Sequence, residues 1–396
     1  MVDFTLTDEQ RALRKLAHDF AKNEIRPYIK DIDQNPDPSK SFPWEMVRKG
    51  LQLGFGCILV PEEYGGSGNG LLESALVTEE LAWGDAGIAA IIGTTSDVGR
   101  VLSLACTEAQ KGKWLRDMCK DESGTFLLAG SFTEPVGGSE ILCSLPDPAM
   151  GVRTTAVRDG NDYVLHGSKC FSTNAGVAKL YLTLARTDKT KPNAESCSLF
   201  LVPADTLGLT IGRIENKMGL RSALNGEVFF DNVRVPVENR VGKENEAFKV
   251  VEETFRGGGV TVGAAAVGLA RAAYETALAY SNDRVIWGQP IRQHELIADK
   301  LAEMRMKIEA CRVLVWKICW AVEHPESSEG LYKLAAMAKV FPSRLVQEVT
   351  IDAMQVLGAY GYLKDYEVEK YVRDAMVFPI RDTTNEVLKM SLAKEL

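Results

Sequence analysis

Residues 154–176 read TTAVRDGNDYVLHGSKCFSTNAG, where short runs rich in Val, Thr and Tyr are separated by the turn pairs Asp159-Gly160 and Gly167-Ser168. This pattern is typical of antiparallel strands joined by tight turns. Similar runs follow as KLYLTLART, SCSLFLVPA, LTIGRI and GEVFFDNVRVP. The sequence therefore predicts a middle antiparallel β domain over residues 125–241.

Helical sequence flanks this β domain on both sides. Thr7 and Gln10 have the spacing of a capping box, and apolar residues follow at helical intervals. Beyond the β domain, ELIADKLAEMRMKIEACRVLVWKICWAVE is one of several long helical runs. We predict an α+β fold with an N-terminal helical domain (1–124), the β domain, and a C-terminal four-helix bundle (242–396). Its inter-domain clefts are where ligand pockets tend to occur.

Composition excludes several classes of protein. Of 396 residues, 45% are hydrophobic and 25% charged, which argues against disorder, and the net charge of −8 argues against nucleic acid as a partner. The sequence has no run of about 18 uncharged apolar residues, so we predict no membrane span. The first residues do not resemble a signal peptide. Eight scattered cysteines without a CxxC pair, and only four histidines, predict no metal site and a cytoplasmic protein.

Two motifs near the start of the β domain carry candidate ligand contacts. In SFTEPVGGSE, residues 131–140, Gly137 and Gly138 expose backbone N–H groups, and Thr133 and Ser139 add hydroxyls. The alternative is an ordinary turn. In GSKCFSTNAG, Phe171 followed by hydroxyl residues could contact a flat heterocycle, although the residue in isolation favours the interpretation as a core aromatic.

Three further motifs lie in the C-terminal part. In DRVIWGQPI, residues 283–291, Arg284 could hold a pyrophosphate or lie in solvent. In QVLGAYGY, residues 355–362, Gly358 marks an anion site or a helix C-cap. In RDTTNE, residues 381–386, Asp382 has either a capping or a catalytic role.

Taken in order, TEPVGGSE, KCFSTNAG, DRVIWGQPI, QVLGAYGY, VEKYVRDAMV and IRDTTNE resemble the acyl-CoA dehydrogenase family of flavoproteins. The resemblance covers nearly the whole chain. It implies the helical, β, helical fold, bound FAD, an acyl-CoA substrate, electron-transfer flavoprotein as acceptor, and a homotetramer built as a dimer of dimers.

The resemblance also assigns contacts. Thr173 is expected near the flavin N5, and Ser139 on the CoA arm. Arg284, Trp287, Gln355 and Gly358 would reach the FAD of the neighbouring subunit. The implied cofactor contacts are Ser131, Phe132, Thr133, Gly138, Ser139, Phe171, Ser172, Thr173, Arg284, Trp287, Gln355, Gly358, Thr384 and Glu386. The implied substrate contacts are Ser139, Asp97, Arg256 and Thr383.

The family reaction needs a carboxylate to take the proton alpha to the thioester while a hydride passes to flavin N5. Where the family has Glu in a Tyr-Glu-Gly-Thr-like run, this chain has Asp382, one methylene shorter. The earlier helix position that bears a Glu in some relatives falls on Gly258 and Gly259. The segment ILCSLPDPAMGV, 141–152, is also longer than in the family, and we expect it to alter the pocket mouth.

A second carboxylate, Asp97 in IIGTTSDVGRVLSL, falls in a helix that lines the acyl pocket of relatives. It is either a capping or solvent-facing residue or a second base aimed further along the substrate. A second base resembles the branch acting on alicyclic esters such as cyclohex-1-ene-1-carboxyl-CoA or cyclohexane-1-carboxyl-CoA. The alternatives are a short- or branched-chain dehydrogenase, a non-redox acyl-CoA lyase and an inactive scaffold.

Overall fold

The computed structural model describes residues 5–139, 147–255 and 258–395. Its N-terminal part is helical, and the first helix begins at the predicted capping box, where Thr7 N donates to Gln10 Oε1 at 2.9 Å and Gln10 N donates to Thr7 Oγ1 at 3.2 Å. The helices here are α1 (Asp8–Phe20), α2 (Ile29–Asp33), α3 (Trp44–Gln52), α4 (Leu71–Gly84), α5 (Ala86–Ala105) and α6 (Glu108–Cys119).

An eight-stranded sheet forms the middle of the chain, with the order β6-β7-β3-β2-β4-β5-β8 and β1 beside β4. Most pairs are antiparallel, as predicted, but β1 and β2 both run parallel to β4. The strands are β1 (Leu128–Ser131), β2 (Thr155–Asp159), β3 (Asp162–Thr173), β4 (Leu180–Arg186), β5 (Cys197–Pro203), β6 (Leu209–Ile214), β7 (Asn225–Pro236) and β8 (Arg240–Val241).

The C-terminal part is a bundle in which α8, α9, α10 and α11 pack together. Its long helices lie very close, since a Cβ built on Gly263 of α8 would meet the carbonyl oxygen of Ala338 at 1.8 Å. The elements are α7 (Ala247–Phe255), α8 (Gly258–Asp283), β9 (Val285–Ile286), β10 (Gln289–Pro290), α9 (Glu295–Glu323), α10 (Met337–Leu357), α11 (Val368–Ala375) and α12 (Asn385–Ala393).

Helix α5 joins the parts and carries Asp97. One face belongs to the core shared with the C-terminal bundle, through Ile88, and another to the core against the sheet, through Leu102. This helix is long and apolar enough to span a membrane by length and composition, but most of it is buried inside the protein. Central core helices of globular proteins pass the same test, so the segment is weak evidence for a membrane span.

Candidate active site

The ends of β1 and β3 bring two of the predicted segments together. The buried hydroxyl oxygens of Ser131 and Ser172 lie 3.2 Å apart. Cys170 N also donates to Thr133 O at 2.9 Å. The loop that follows β1 is therefore fixed against the last residues of β3, as the proposed cofactor contacts require.

A buried ion pair beneath this loop was missed from the sequence. Lys169 Nζ donates to Glu134 Oε1 at 2.8 Å and to Phe132 O at 3.1 Å. Glu134 also accepts from the backbone N–H groups of Arg153 and Thr154. Burial opposes its charge, but Lys169 and these amides lower the pKa of Glu134 below its ordinary value. Lys169 and Cys170 are both buried at a register shift between β3 and β7, so simple alternation along KCFST gave no signal for this lysine.

The end of β3 presents an aromatic ring and hydroxyls outward. Phe171 is 61% exposed with a φ of 56°, so its interpretation as a core aromatic was wrong. Asn225, also missed, donates to Phe171 O at 3.1 Å and to Thr173 Oγ1 at 3.0 Å. Within the described ranges, the Thr133 hydroxyl has no hydrogen-bond partner. An exposed ring beside available hydroxyls fits a flat ligand with polar edges.

The hairpin of β9 and β10 lies beside the glycine-rich turn that follows α10. The Arg284 guanidinium carbon is 5.9 Å from the Tyr360 ring centroid. Trp287 at the hairpin tip is 91% exposed. Gly358 caps α10 with a φ of 61°, which bears out the C-cap interpretation, and Gln355 lies exposed one turn earlier. Arg284 thus lies beside the turn that Gly358 begins, and Trp287 and Gln355 are both exposed.

The segment between α11 and α12 carries Asp382. Its φ of 57° is unusual outside glycine, and its side chain is 55% exposed. Arg381 Nε is 3.9 Å from Asp382 Oδ1. The N-cap of α12 is Thr384, whose Oγ1 accepts from Val387 N at 3.4 Å. Thr384 N donates to Ser139 Oγ at 2.8 Å, which ties this segment to the middle domain.

Asp97 is partly buried on α5, and the Thr261 hydroxyl donates to its Oδ2 at 2.9 Å. Burial, followed by the negative charge of Asp382, raises the pKa of Asp97 to about 7, while Thr261 and the cations Arg100 and Arg381 act in the opposite direction. A carboxyl with a raised pKa beside a second carboxylate is typical of proton-transfer sites. The fold therefore places Asp97 within range of the charge of Asp382.

The remaining predicted residues differ in how far they are buried. Thr383 is partly buried and Glu386 exposed at the start of α12. Gly138 is partly buried in the loop after β1. Arg256 and the first part of the 141–152 insertion lie outside the described residues. Over 5–139, 147–255 and 258–395, no three His, Cys, Asp or Glu side chains are grouped to hold a metal.

Comparison with known proteins gives consistent relatives along the whole chain. Models of the acyl-CoA dehydrogenase N-terminal, middle and C-terminal domains match residues 7–122, 129–233 and 245–396. A short-chain-specific acyl-CoA dehydrogenase of Megasphaera elsdenii is 38% identical over 98% of each chain. A probable acyl-CoA dehydrogenase of Bacillus subtilis is 36% identical over the full length of both. The structure of butyryl-CoA dehydrogenase from Megasphaera elsdenii superposes with a TM-score of 0.90 and 36% identity, over 100% of this chain and 99% of that one.

Proposed function

The chain belongs to the acyl-CoA dehydrogenase family, and from this membership we propose that Asp382 and Asp97 serve its proton abstraction and that its substrate is an alicyclic acyl-CoA. At the coarser level, the protein is an FAD-dependent oxidoreductase that acts on CH–CH bonds of acyl-CoA thioesters. The observation that carries the proposal is that Asp97 is buried, accepts from the Thr261 hydroxyl and lies within range of the charge of Asp382.

The residues around the end of β3 suit FAD. Phe171 would cover the isoalloxazine ring, Thr133 and Thr173 would meet its polar edge, and the buried Ser131 would support them through its contact with Ser172. When bound, FAD supplies the acceptor for the hydride that leaves the acyl chain. Asn225 would fix the Thr173 hydroxyl in position, and the Glu134–Lys169 pair would hold the loop beneath it.

Abstraction of the alpha proton generates an enolate, whose oxygen needs a donor aimed at it. The backbone N–H of Asp382 has no acceptor among the described residues, so it remains available for the thioester oxygen. Asp382, with its φ of 57°, would thus offer two groups from one residue: the backbone N–H for the thioester oxygen and the carboxylate for the proton. In this proposal Asp382 orients the thioester and either it or Asp97 takes the proton.

The pKa and the position of Asp97 support an alicyclic substrate. Its raised pKa, about 7, lies near working pH, where a general base is most effective. A second carboxylate placed further along the acyl chain suits removal of a proton from a vinylogous carbon of a ring. The main alternative is a short-chain acyl-CoA, which two relatives from Megasphaera elsdenii favour by their names.

The quaternary state and the electron acceptor complete the proposal. Arg284, Trp287, Gln355 and Gly358 would contact the FAD of a second subunit in a homotetramer. The strong exposure of Trp287 and Phe171 supports coverage by ligand or a second copy. An electron-transfer flavoprotein would reoxidise the flavin in the cytoplasm.

An anaerobic bleaching screen tests this function. The purified yellow protein would be mixed with straight, branched and alicyclic CoA thioesters, and the products would be identified. We expect the flavin absorbance to fall fastest with an alicyclic ester. Preference for butyryl-CoA would overturn the alicyclic assignment, and product formed by elimination without bleaching would favour the lyase.

A further inference from the structure

Lys339 is a fully buried lysine in α10, with 1% of its surface exposed. Its ammonium donates to Pro379 O at 3.0 Å, to Thr383 O at 2.8 Å and to Asn385 Oδ1 at 2.8 Å. Pro379 and Thr383 belong to the segment between α11 and α12, and Asn385 is the first residue of α12. They lie on both sides of Asp382, so one side chain holds the segment before and after the candidate base.

The three acceptors match the chemistry of an ammonium group. A protonated lysine has three N–H donors, and each finds one acceptor here. All three acceptors are uncharged, and the described part of the chain gives Lys339 no ion pair. Burial lowers the pKa of Lys339 to about 8, and the charge of Asp382 opposes that change. A buried cation without a carboxylate partner is costly, so stability alone does not account for it.

The neighbouring helix is shaped to admit this side chain. A Cβ on Gly259 of α8 would lie 3.1 Å from Lys339 Cβ, closer than most real contacts. The position where some relatives carry a Glu therefore gives room to the lysine stem in this chain.

Asp382 needs such support because its φ is 57°. A residue other than glycine is strained in this conformation and keeps it only where its surroundings impose it. The carbonyl groups of Pro379 and Thr383 fix the chain on each side, and Asn385 begins the next helix.

We propose that Lys339 is a positioning residue that holds the backbone around Asp382 and thereby sets the Asp382 carboxylate against Asp97 and the substrate. This inference rests on the proposed function, since it concerns how the candidate base is placed. Lys339 itself does not touch the reacting atoms.

The test uses the FAD-loaded enzyme and Lys339→Met, which keeps the apolar stem and removes the donors. We expect the rate of flavin reduction at saturating substrate to fall by about 100-fold, the effect of displacing a catalytic group by about an angstrom. The KM and the FAD content should stay near those of the parent. Hydrogen exchange at the amides of residues 380–384 should accelerate, which is a readout independent of activity.

A double-mutant cycle with Asp382→Asn separates positioning from general damage. If Lys339 acts through Asp382, Lys339→Met should have little further effect once the carboxylate is gone. If the two substitutions lower the rate of flavin reduction by factors that multiply in the double variant, the inference is overturned. An Asp382→Asn enzyme with the parent rate would instead overturn the base assignment itself, and the inference with it.

Two further variants test whether misfolding explains the loss of rate. Asn385→Ala removes one acceptor and keeps the lysine, so it should show a smaller rate loss and the same local increase in exchange. Ser343→Ala is the matched control, because its hydroxyl donates to Lys339 O at 2.5 Å and to Phe378 O at 3.2 Å, so the change removes buried hydrogen bonds in the same place and leaves the lysine ammonium and its three acceptors intact. We expect this control to keep the parent rate, and equal losses in Ser343→Ala and Lys339→Met would contradict the proposal.

Discussion

Asp97 and Asp382 lie within electrostatic range of each other although they come from opposite ends of the chain. Burial and then the charge of Asp382 raise the pKa of Asp97 to about 7. Two like charges held together favour a proton on one of them. The arrangement thus makes Asp97 an easily protonated carboxyl within range of a second carboxyl group.

Replacing either aspartate by asparagine should lower the rate of flavin reduction by the acyl-CoA to a small residual value while FAD stays bound. Asparagine keeps the shape of the side chain, and it tolerates the positive φ at residue 382, so the backbone should not change. Anaerobic stopped-flow reduction and the FAD content of the purified variants measure both parts. If both single variants reduce at near-normal rates, neither carboxylate is the base.

Asp97→Asn should stabilise the protein in a pH-dependent way. The folded-state pKa of Asp97 rises from 3.8 to about 7, so its contribution to stability is fully present below about pH 3.8 and is lost as the pH rises through 7. The variant should therefore melt higher than the parent at pH 8, and the difference should narrow at pH 5. A difference in melting temperature that is equal at both pH values would refute the raised pKa.

Lys169→Met should destabilise the middle domain and weaken FAD binding. The change leaves Glu134 buried without its cation, and breaking a buried pair costs about 3–5 kcal/mol. Thermal unfolding and FAD content would show both effects. The double variant with Glu134→Gln should recover part of the stability, and a single variant that melts like the parent would contradict the structure.

Gly263→Ala should cost about 3 kcal/mol or more of stability, because the new methyl group would overlap the carbonyl oxygen of Ala338 between α8 and α10. Gly112→Ala in α6 is the matched control. No atom lies within 4 Å of the position that its new methyl group would take, so it should gain about 0.5–1 kcal/mol from helix propensity. Chemical denaturation of the pair measures the contrast, and a tolerated Gly263→Ala would show that the helices are further apart.

Local patterns predicted the features that depend on neighbouring residues. The capping box at Thr7 and a cap before the last helix both occur, and the period-2 runs became strands. The family motifs gave the fold. Lys339 and Asn225 escaped because their partners are carbonyl and hydroxyl oxygens far away in sequence, which leave no trace in local spacing. Phe171 was ambiguous because apolar character alone does not tell whether a strand end faces the core or a ligand.

The bond from Thr384 N to Ser139 Oγ has a consequence for protein engineering. It joins the loop after β1, near the start of the middle domain, to the N-cap of the last helix in the C-terminal domain, so recombining domains from different relatives would separate the two halves of the contact. Functional chimeras should therefore take Ser139 and the segment around Thr384 from the same parent. Crossover points that keep these two residues together should give the larger share of active hybrids.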